Sequence, residues 1–273
     1  MLKKLVKLLF TIFILIIAAS LYLSNFSIET SRYDIISNEL PVSFNGYRIA
    51  QLSDLHGRDL NDKIIKSLKK SKPHIIVITG DMMDDDKQWE TISKLLMELT
   101  NLAPVYYVTG NHEWAECETE TLLSKIEGCG VKTLRNEYVK LTVGAEIIIL
   151  AGIDDPNGYA DMKTPSQLKA EIDANEEATY SILLVHRPEN FHKHAALGFD
   201  LVISGHVHGG LIRLPYVGGL FSPGMELLPT YSGGLYNEGQ STLALSRGLA
   251  GVGNFPRLFN RLDIPVLTLR SSS

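Results

Sequence analysis

Short apolar runs alternate with amphipathic stretches along the middle of this chain. Runs of four to six residues, rich in β-branched side chains, predict five buried strands, at residues 47–52, 75–79, 105–109, 181–185 and 201–204. Apolar residues at three- and four-residue spacing predict four helices, at residues 62–72, 87–100, 118–127 and 165–177. Pro165 suits the first turn of the last helix, because Thr164 can cap it. This alternation indicates the α/β class.

The helical pattern ends after Gly205. Four short segments separated by Gly and Pro predict further strands, at residues 211–214, 228–232, 242–246 and 266–270. The chain has 273 residues, of which 45% are hydrophobic and 21% charged, and this composition is ordinary for one folded domain with a sizeable core. We therefore expect a single α/β domain over residues 46–273.

The N-terminus carries a separate hydrophobic signal. Lys3, Lys4 and Lys7 precede an uncharged apolar stretch at residues 8–23 that has no polar face. We interpret residues 1–24 as an uncleaved, single-pass anchor in the cell membrane. The leading positive charges predict a cytoplasmic N-terminus and a domain on the extracytoplasmic side. Residues 25–45 are then expected to be a stem, with one extended segment at 28–36.

A cleaved signal peptide is the alternative interpretation of this segment. Ala18-Ala19-Ser20 would provide the small-residue cleavage site, and the protein would then be secreted. We favour the anchor, because the apolar run continues past this site as far as Leu23. A chain that begins near Ser24 is then expected to be soluble and as active on small substrates as the full chain.

Charge and cysteine content narrow the possible partners. The formal net charge of −5 provides no basic surface, so we do not expect a nucleic-acid partner. The spacing of the two cysteines, Cys117 and Cys129, fits no zinc motif. Their role is unassigned, and a disulfide between them is left open. We expect a monomer.

Side chains that can bind metals follow each of the five predicted buried strands. The clusters are Ser53-Asp54-Leu55-His56, Gly80-Asp81, Gly110-Asn111-His112-Glu113, Val185-His186 and Gly205-His206-Val207-His208. Because sites in α/β sheets form at the carboxyl ends of strands, five such clusters predict one common site. Carboxylate, imidazole and amide donors suit Mn²⁺, Fe²⁺ or Zn²⁺, and the absence of thiolates argues against a structural zinc site. Asp81 is the candidate to bridge two metals through its two oxygens.

The order and spacing of these clusters resemble the calcineurin-like metallophosphoesterase superfamily. Its pattern is D-x-H, G-D-x-x-D, G-N-H-E, a lone His and G-H-x-H, and every element is present here. The surroundings at residues 184–189, 204–210 and 246–249 are similar to the membrane-associated bacterial branch of small phosphodiesterases. Leu211 and Arg187 depart from residues common in that branch. Asp85 replaces the Arg that follows G-D-x-x-D in protein phosphatases, which argues against a phosphoprotein phosphatase of that type.

The resemblance implies a fold and a set of metal ligands. The fold would be a four-layer αββα sandwich, in which helices flank two mixed β-sheets, and the C-terminal strands would suit the second sheet. Two divalent ions are implied, with Mn²⁺ expected and Fe²⁺, Zn²⁺ or a mixed pair as alternatives. One ion would be held by residues matching Asp54, His56 and His208, the other by residues matching Asn111, His186 and His206, with Asp81 between them.

The resemblance also implies catalytic roles beside the metals. His112 would protonate the leaving oxygen without binding a metal. Asp84, the second Asp of G-D-x-x-D, would accept the other N–H of His112 and fix its tautomer. The alternative for Asp84 is a solvated acidic turn together with Asp85 and Asp86.

These expectations lead to a functional hypothesis. The chain is expected to hydrolyse phosphodiester or pyrophosphate bonds through a hydroxide that bridges the two metals. The anchor directs the substrate search toward lipid-linked or envelope molecules, because a tethered domain samples the membrane surface at high effective concentration. A non-catalytic metal-binding scaffold on the same fold is the alternative. Such a scaffold should have lost ligands or the acid, and this chain has all of them.

Overall fold

The computed structural model describes residues 1–159, 162–253 and 255–272. The helices are α1 (Leu2–Phe26), α2 (Asn61–Ser71), α3 (Trp89–Thr100), α4 (Asn111–Glu116), α5 (Thr119–Gly128), α6 (Pro165–Asn175) and α7 (Phe191–Ala196). The strands are β1 (Ile28–Glu29), β2 (Arg32–Ser37), β3 (Arg48–Leu52), β4 (Ile75–Thr79), β5 (Val105–Val108), β6 (Lys132–Thr133), β7 (Glu137–Val143), β8 (Glu146–Gly152), β9 (Ser181–Leu184), β10 (Leu201–Ser204), β11 (Arg213–Leu214), β12 (Gly218–Gly219), β13 (Gly234–Glu238), β14 (Ser241–Leu245), β15 (Leu262–Asp263) and β16 (Val266–Ser271).

Two mixed sheets of six strands form the body of the domain. The first has the order β2-β16-β3-β4-β5-β6, and the second has the order β13-β14-β10-β9-β8-β7. Strands β3 to β6 run parallel to one another, as do β8, β9, β10 and β14. Their carboxyl ends therefore lie at one edge of each sheet, where the chain leaves for the next helix or loop.

The period-two burial of the strands explains the layers. In β4, Ile75 and Val77 face a core shared by both sheets, whereas Ile76 and Ile78 face helices α2, α3 and α5. In β9, Ile182 and Leu184 face the shared core, and Leu183 faces α6 and α7. Both faces of each sheet are thus apolar and covered. The result is the αββα sandwich expected from the resemblance.

Most predicted elements are confirmed, and their ends differ by no more than three residues. Residues 75–79 and 201–204 form strands with the predicted bounds, and the predicted helix 165–177 begins at Pro165, where Thr164 caps it. Three predictions for the C-terminal third were wrong. Residues 228–232 form no strand, β11 pairs with β12 in a separate two-stranded sheet, and β16 lies in the first sheet, between β2 and β3. Alternation of side chains predicts that a strand exists, but it does not identify the sheet that the strand joins.

Helix α1 is long and apolar enough to cross a membrane, as predicted. Its most apolar window has a mean hydropathy of 2.4, and only 6% of that window is buried against the rest of the chain. The part of the chain that follows, predicted to be a stem, contributes β2 to the edge of the first sheet, paired in parallel with β16. The chain after the helix is therefore integrated into the domain.

The end of α1 also packs into the domain. Ser20 and Ser24 are buried, and their hydroxyls accept hydrogen bonds from the backbone N–H groups of Phe259 at 2.7 Å and Asn260 at 3.0 Å. The side chain of Asn25 exchanges two hydrogen bonds with the backbone of Arg257. A chain beginning near Ser24 would lose some of these contacts, so we no longer expect it to equal the full chain in activity.

Candidate metal centre

The predicted site residues come together where the two sheets meet. Three of the clusters leave strands β3, β4 and β5 of the first sheet, and two leave strands β9 and β10 of the second. Direct bonds join the two edges: Gln51 Nε2 donates to the carbonyl of Ser204 at 2.7 Å, and the backbone N–H of His206 donates to the carboxylate of Asp54 at 3.0 Å. Side chains from separate sheets therefore share one site.

The first candidate metal position is formed by Asp54, His56 and His208. The Nε2 atoms of the two histidines are 3.4 Å apart, and Nε2 of His208 lies 3.6 Å from Oδ1 of Asp54. Asp54 and His208 are buried, and His56 is partly buried. One carboxylate oxygen and two imidazole nitrogens thus converge on one point, which is a suitable set for a borderline divalent cation.

The second candidate metal position is formed by Asp81, His186 and His206, with Asn111 beside them. Nε2 of His186 lies 3.1 Å from Nδ1 of His206, 3.2 Å from Oδ1 of Asn111 and 3.2 Å from Oδ2 of Asp81. The amide oxygen of Asn111, which the resemblance implied for this group, is therefore within the cluster.

Asp81 lies between the two groups. Its Oδ2 atom is 3.2 Å from Nε2 of His186 and 3.9 Å from Nε2 of His56. Its other oxygen, Oδ1, accepts a hydrogen bond from the backbone N–H of His112 at 2.9 Å. One oxygen thus faces both groups, whereas the sequence interpretation had both oxygens available for bridging.

The outer nitrogens of three histidines have hydrogen-bond acceptors. Nδ1 of His186 donates to the carbonyl of Thr79 at 2.7 Å, and Nδ1 of His208 donates to the carbonyl of Ala250 at 3.1 Å. Nδ1 of His56 donates to Asp84 at 2.5 Å. Because each Nδ1 faces an acceptor, each Nε2 points into the site, where it can offer its lone pair to a metal once the imidazole is neutral.

Asp84 contacts His112 as well as His56. Its Oδ1 atom lies 2.9 Å from Nδ1 of His112, an ion-pair distance, although the ring N–H of His112 is not aligned for a hydrogen bond. The two side chains are therefore in contact, and the hydrogen bond by which Asp84 would fix the tautomer of His112 stays a prediction. The hydrogen bond to His56 was not anticipated, and it indicates that Asp84 also orients a candidate ligand.

Glu113 is a positioning residue that the sequence interpretation did not assign. It is fully buried, and Oε2 accepts the backbone N–H groups of Gly110 at 2.7 Å and Asp81 at 3.0 Å. Oε1 accepts the N–H of Met82 at 2.8 Å. One side chain thus fixes the turns after β4 and β5, and its place inside the G-N-H-E motif was the available signal.

The backbone is left-handed at most of the candidate ligands. Positive φ angles occur at Asp54 (54°), His56 (49°), Asp81 (52°), His206 (74°) and His208 (50°). Each such residue costs about 1–3 kcal/mol unless its surroundings stabilise it, and clusters of them are typical of functional sites. Here the sharp turns aim side chains from the strand ends back into the junction between the sheets.

Burial and neighbouring charges shift the pKa values of the histidines in the site in opposite directions. Burial opposes ionisation of His186, but contact with Asp81 raises the pKa of its imidazole to about 10. Although Asp81 is also buried, the same contact holds the pKa of its carboxyl well below the usual range. Burial lowers the pKa of His206 to about 3 and that of His208 to about 4. These two imidazoles are therefore neutral at pH 7, the form that binds a metal.

Three of the arginines near the motifs, Arg187, Arg213 and Arg247, are held by partners in the protein. Arg187 forms an ion pair with Asp155 at 2.7 Å, and Arg247 forms one with Asp263 at 3.1 Å. Arg213 donates to the carbonyls of Gly209 and Ser232. Trp114 hydrogen-bonds to Thr109 at 2.9 Å and contacts Tyr159 edge-on, which fits a packing role.

Comparison with known proteins identifies relatives along nearly the whole chain. A family model described as calcineurin-like phosphoesterase matches residues 47–210. The uncharacterized metallophosphoesterase YkuE of Bacillus subtilis is 32% identical over 264 residues, which cover 92% of this chain and 89% of that protein. The Bos taurus transmembrane protein with metallophosphoesterase domain is 29% identical over 252 residues, covering 86% of this chain and 55% of that protein.

Solved structures provide a likeness of fold. The NAD nucleotidase of Haemophilus influenzae superposes with a TM-score of 0.51 and 16% identity, over 75% of this chain and 45% of that chain. At this identity the likeness concerns the fold alone.

Glu113→Gln should weaken metal binding. An amide presents one acceptor oxygen and an NH₂ group, so at least one of the three backbone N–H groups would lose its acceptor. We expect Mn²⁺ affinity to fall about 10–100-fold, measured by calorimetric titration of the full chain in detergent. Glu116→Gln is the matched control, since Glu116 lies on the same helix and is exposed. Equal affinities in both variants would contradict the positioning role of Glu113.

Proposed function

Because this chain belongs to the calcineurin-like phosphoesterase family, we propose that it is an enzyme that hydrolyses phosphodiester or pyrophosphate bonds with two divalent metal ions. The observation that carries the proposal is the position of Asp81 Oδ2, which lies within 4 Å of a histidine from each candidate metal group. Three predicted ligands, Asp54, His56 and His208, would hold one ion. Asn111, His186 and His206 would hold the other.

The donor set fits such metals. Divalent cations bind to carboxylates, to neutral imidazoles and to histidines whose Nδ1 is held by an acceptor. We propose Mn²⁺ as the preferred ion, with Fe²⁺, Zn²⁺ or a mixed pair as alternatives. When bound, two such ions lower the pKa of a water molecule and neutralise charge on phosphoryl oxygens.

His112 is the proposed general acid. Its side chain is about one-third exposed, lines the same cavity as the ligands and converges with His56 and Asp84. The Asp84 carboxylate raises the pKa of His112 to about 8, so at pH 7 most of the imidazole carries the proton that a leaving oxygen needs. Asp84 would hold that imidazolium in place while it orients His56.

The proposed location is the outer face of the cell membrane. Helix α1 can span a bilayer, its only charges are Lys3, Lys4 and Lys7 near the N-terminus, and related proteins include a named transmembrane protein. Positive residues favour the cytoplasmic side, which puts the domain outside. A tethered domain meets membrane substrates at high effective concentration, so we propose a lipid-linked phosphoester or pyrophosphate as substrate.

Metal removal tests the two-metal proposal. We expect chelator-treated protein to lose hydrolysis of bis(p-nitrophenyl) phosphate and to regain it with Mn²⁺. Asp81→Asn should lower the restored rate by more than about 100-fold, beyond the usual effect of a residue that only supports a ligand. Asp86→Asn, a change at an exposed turn residue, is the control. Full activity after metal stripping would refute the proposal, and tight metal binding without turnover of any phosphoester would favour the scaffold alternative.

His112→Ala separates chemistry from metal binding. The variant should retain both metals by elemental analysis, while turnover falls by about 10²–10⁴-fold, the range of general acid catalysis. The loss should be smaller for esters whose leaving group needs no proton. His74→Ala serves as the control because His74 lies outside the cavity, where it stacks on Tyr47. A metal position lost in the His112 variant would make this residue a ligand.

Protease protection tests the location. Protease added to intact spheroplasts should digest the domain without lysis, and the full chain should resist extraction from membranes by carbonate. A domain protected until lysis would place the site in the cytoplasm and contradict the orientation proposed from Lys3, Lys4 and Lys7.

A further inference from the structure

The cavity above the candidate metal centre extends to the membrane helix. Its volume is about 910 Å³, and it is continuous from the metal-binding side chains to the end of α1. The polar end is lined by residues of the site, including His56, Asp81, Asn111, His206 and His208. The opposite end is lined by Leu21, Tyr22 and Phe26 of α1, together with Val252 and Phe255.

The end of α1 is held as a wall of this cavity. In addition to the hydrogen bonds at Ser20, Ser24 and Asn25, two cations bind the last carbonyls of the helix. Arg58 donates to Asn25 O at 2.7 Å, and Lys63 donates to Phe26 O at 2.8 Å. Positive charge at this position also stabilises the negative end of the helix dipole. The helix end therefore keeps a fixed place relative to the site.

The loop at residues 257–260, which is bonded to the end of α1, also contacts a candidate metal ligand. Asn260, whose N–H donates to Ser24, uses its side chain to donate to the carbonyl of His208 at 2.8 Å. The buried guanidinium of Arg257 donates to the carbonyl of Ala250, which also accepts from His208 Nδ1. The cavity wall and the metal centre thus share one rigid support.

Large apolar side chains are exposed at the helix end of the cavity. The rings of Tyr22 and Phe26 are one helical turn apart with centroids at 5.5 Å, and they are 66% and 54% exposed. Phe255 is 62% exposed on the loop opposite. An exposed apolar surface of this kind, continuous with a polar site, fits a ligand with a hydrocarbon part and a charged part.

A neighbouring lobe extends the apolar surface outside the cavity. Residues 213–228 carry exposed Tyr216, Val217, Met225 and Leu227. The backbone N–H of Arg213 in this lobe donates to the carbonyl of Leu258, next to the residues that bind α1. With α1 in the membrane as proposed, the lobe and the cavity mouth would lie beside the bilayer surface.

We propose that Tyr22 and Phe26 of α1, with Phe255, form a subsite for the hydrocarbon chain of a phosphoester taken directly from the bilayer. The phosphate of that substrate would occupy the metal end of the same cavity. This inference rests on the proposed function and adds a specificity role for the helix, which would otherwise serve only as a tether.

Two esters with the same leaving group test the subsite. Hexadecyl 4-nitrophenyl phosphate and ethyl 4-nitrophenyl phosphate differ only in chain length, so the ratio of their kcat/KM values reports the hydrocarbon contact and is insensitive to the amount of active enzyme. For the full chain with Mn²⁺ in phosphatidylcholine vesicles, we expect this ratio to favour the hexadecyl ester. The double variant Tyr22→Ala, Phe26→Ala should lower the ratio about tenfold or more, the scale of lost contacts in a hydrophobic pocket.

Phe10→Ala, Phe13→Ala is the matched control, because both rings are exposed on the same helix and lie outside the cavity. This control should keep the wild-type ratio of kcat/KM values. In a separate experiment with the wild-type chain, hexadecyl ester placed in the enzyme's own vesicles should react faster than hexadecyl ester supplied in separate vesicles. An unchanged ratio in the Tyr22 and Phe26 variant, or an equal fall in the control, would overturn the subsite. Equal rates from separate vesicles would overturn uptake from the bilayer, and no turnover of either ester would instead overturn the proposed function.

Discussion

The buried carboxylates at the junction of the two sheets are the constraint on which the site depends. Asp54 and Glu113 are completely inaccessible to solvent, and Asp81 is almost so. Burying a charge is costly unless it is paired and hydrogen-bonded. These carboxylates accept hydrogen bonds from the backbone N–H groups of His112, His206, Gly110 and the residues after β4. The imidazole of His186 also lies beside Asp81. The negative field that remains favours bound cations.

Backbone geometry follows from the same constraint. To aim donors from five strand ends at one junction, the chain turns back sharply, and left-handed residues result at Asp54, Asp81 and His206. Gly80 permits one of these turns, since a Cβ there would collide with the backbone nitrogen of Gly110. The two packed sheets hold these conformations, so the strain is stabilised by the surrounding core.

The sequence predicted individual helices and strands better than it predicted which strands pair with one another. Strands such as 75–79 were found from apolar β-branched runs because burial on both faces leaves a local pattern. The placement of β16 between β2 and β3, and the use of residues 32–37 as an edge strand, could not be found in this way. Both depend on pairing between segments more than 200 residues apart, and local periodicity carries no information on such pairing.

The donors of the site could be identified from the amino-acid sequence, because carboxylate, imidazole and amide groups at strand ends have a chemistry independent of their neighbours. Their use depends on the folded arrangement. It directed Asp84 to His56 as well as His112, made Glu113 the acceptor for three backbone N–H groups, and left one oxygen of Asp81 facing both metal groups. It also joined the end of α1 to the site through Asn260 and His208, because hydrogen bonds between distant segments depend on their approach in space.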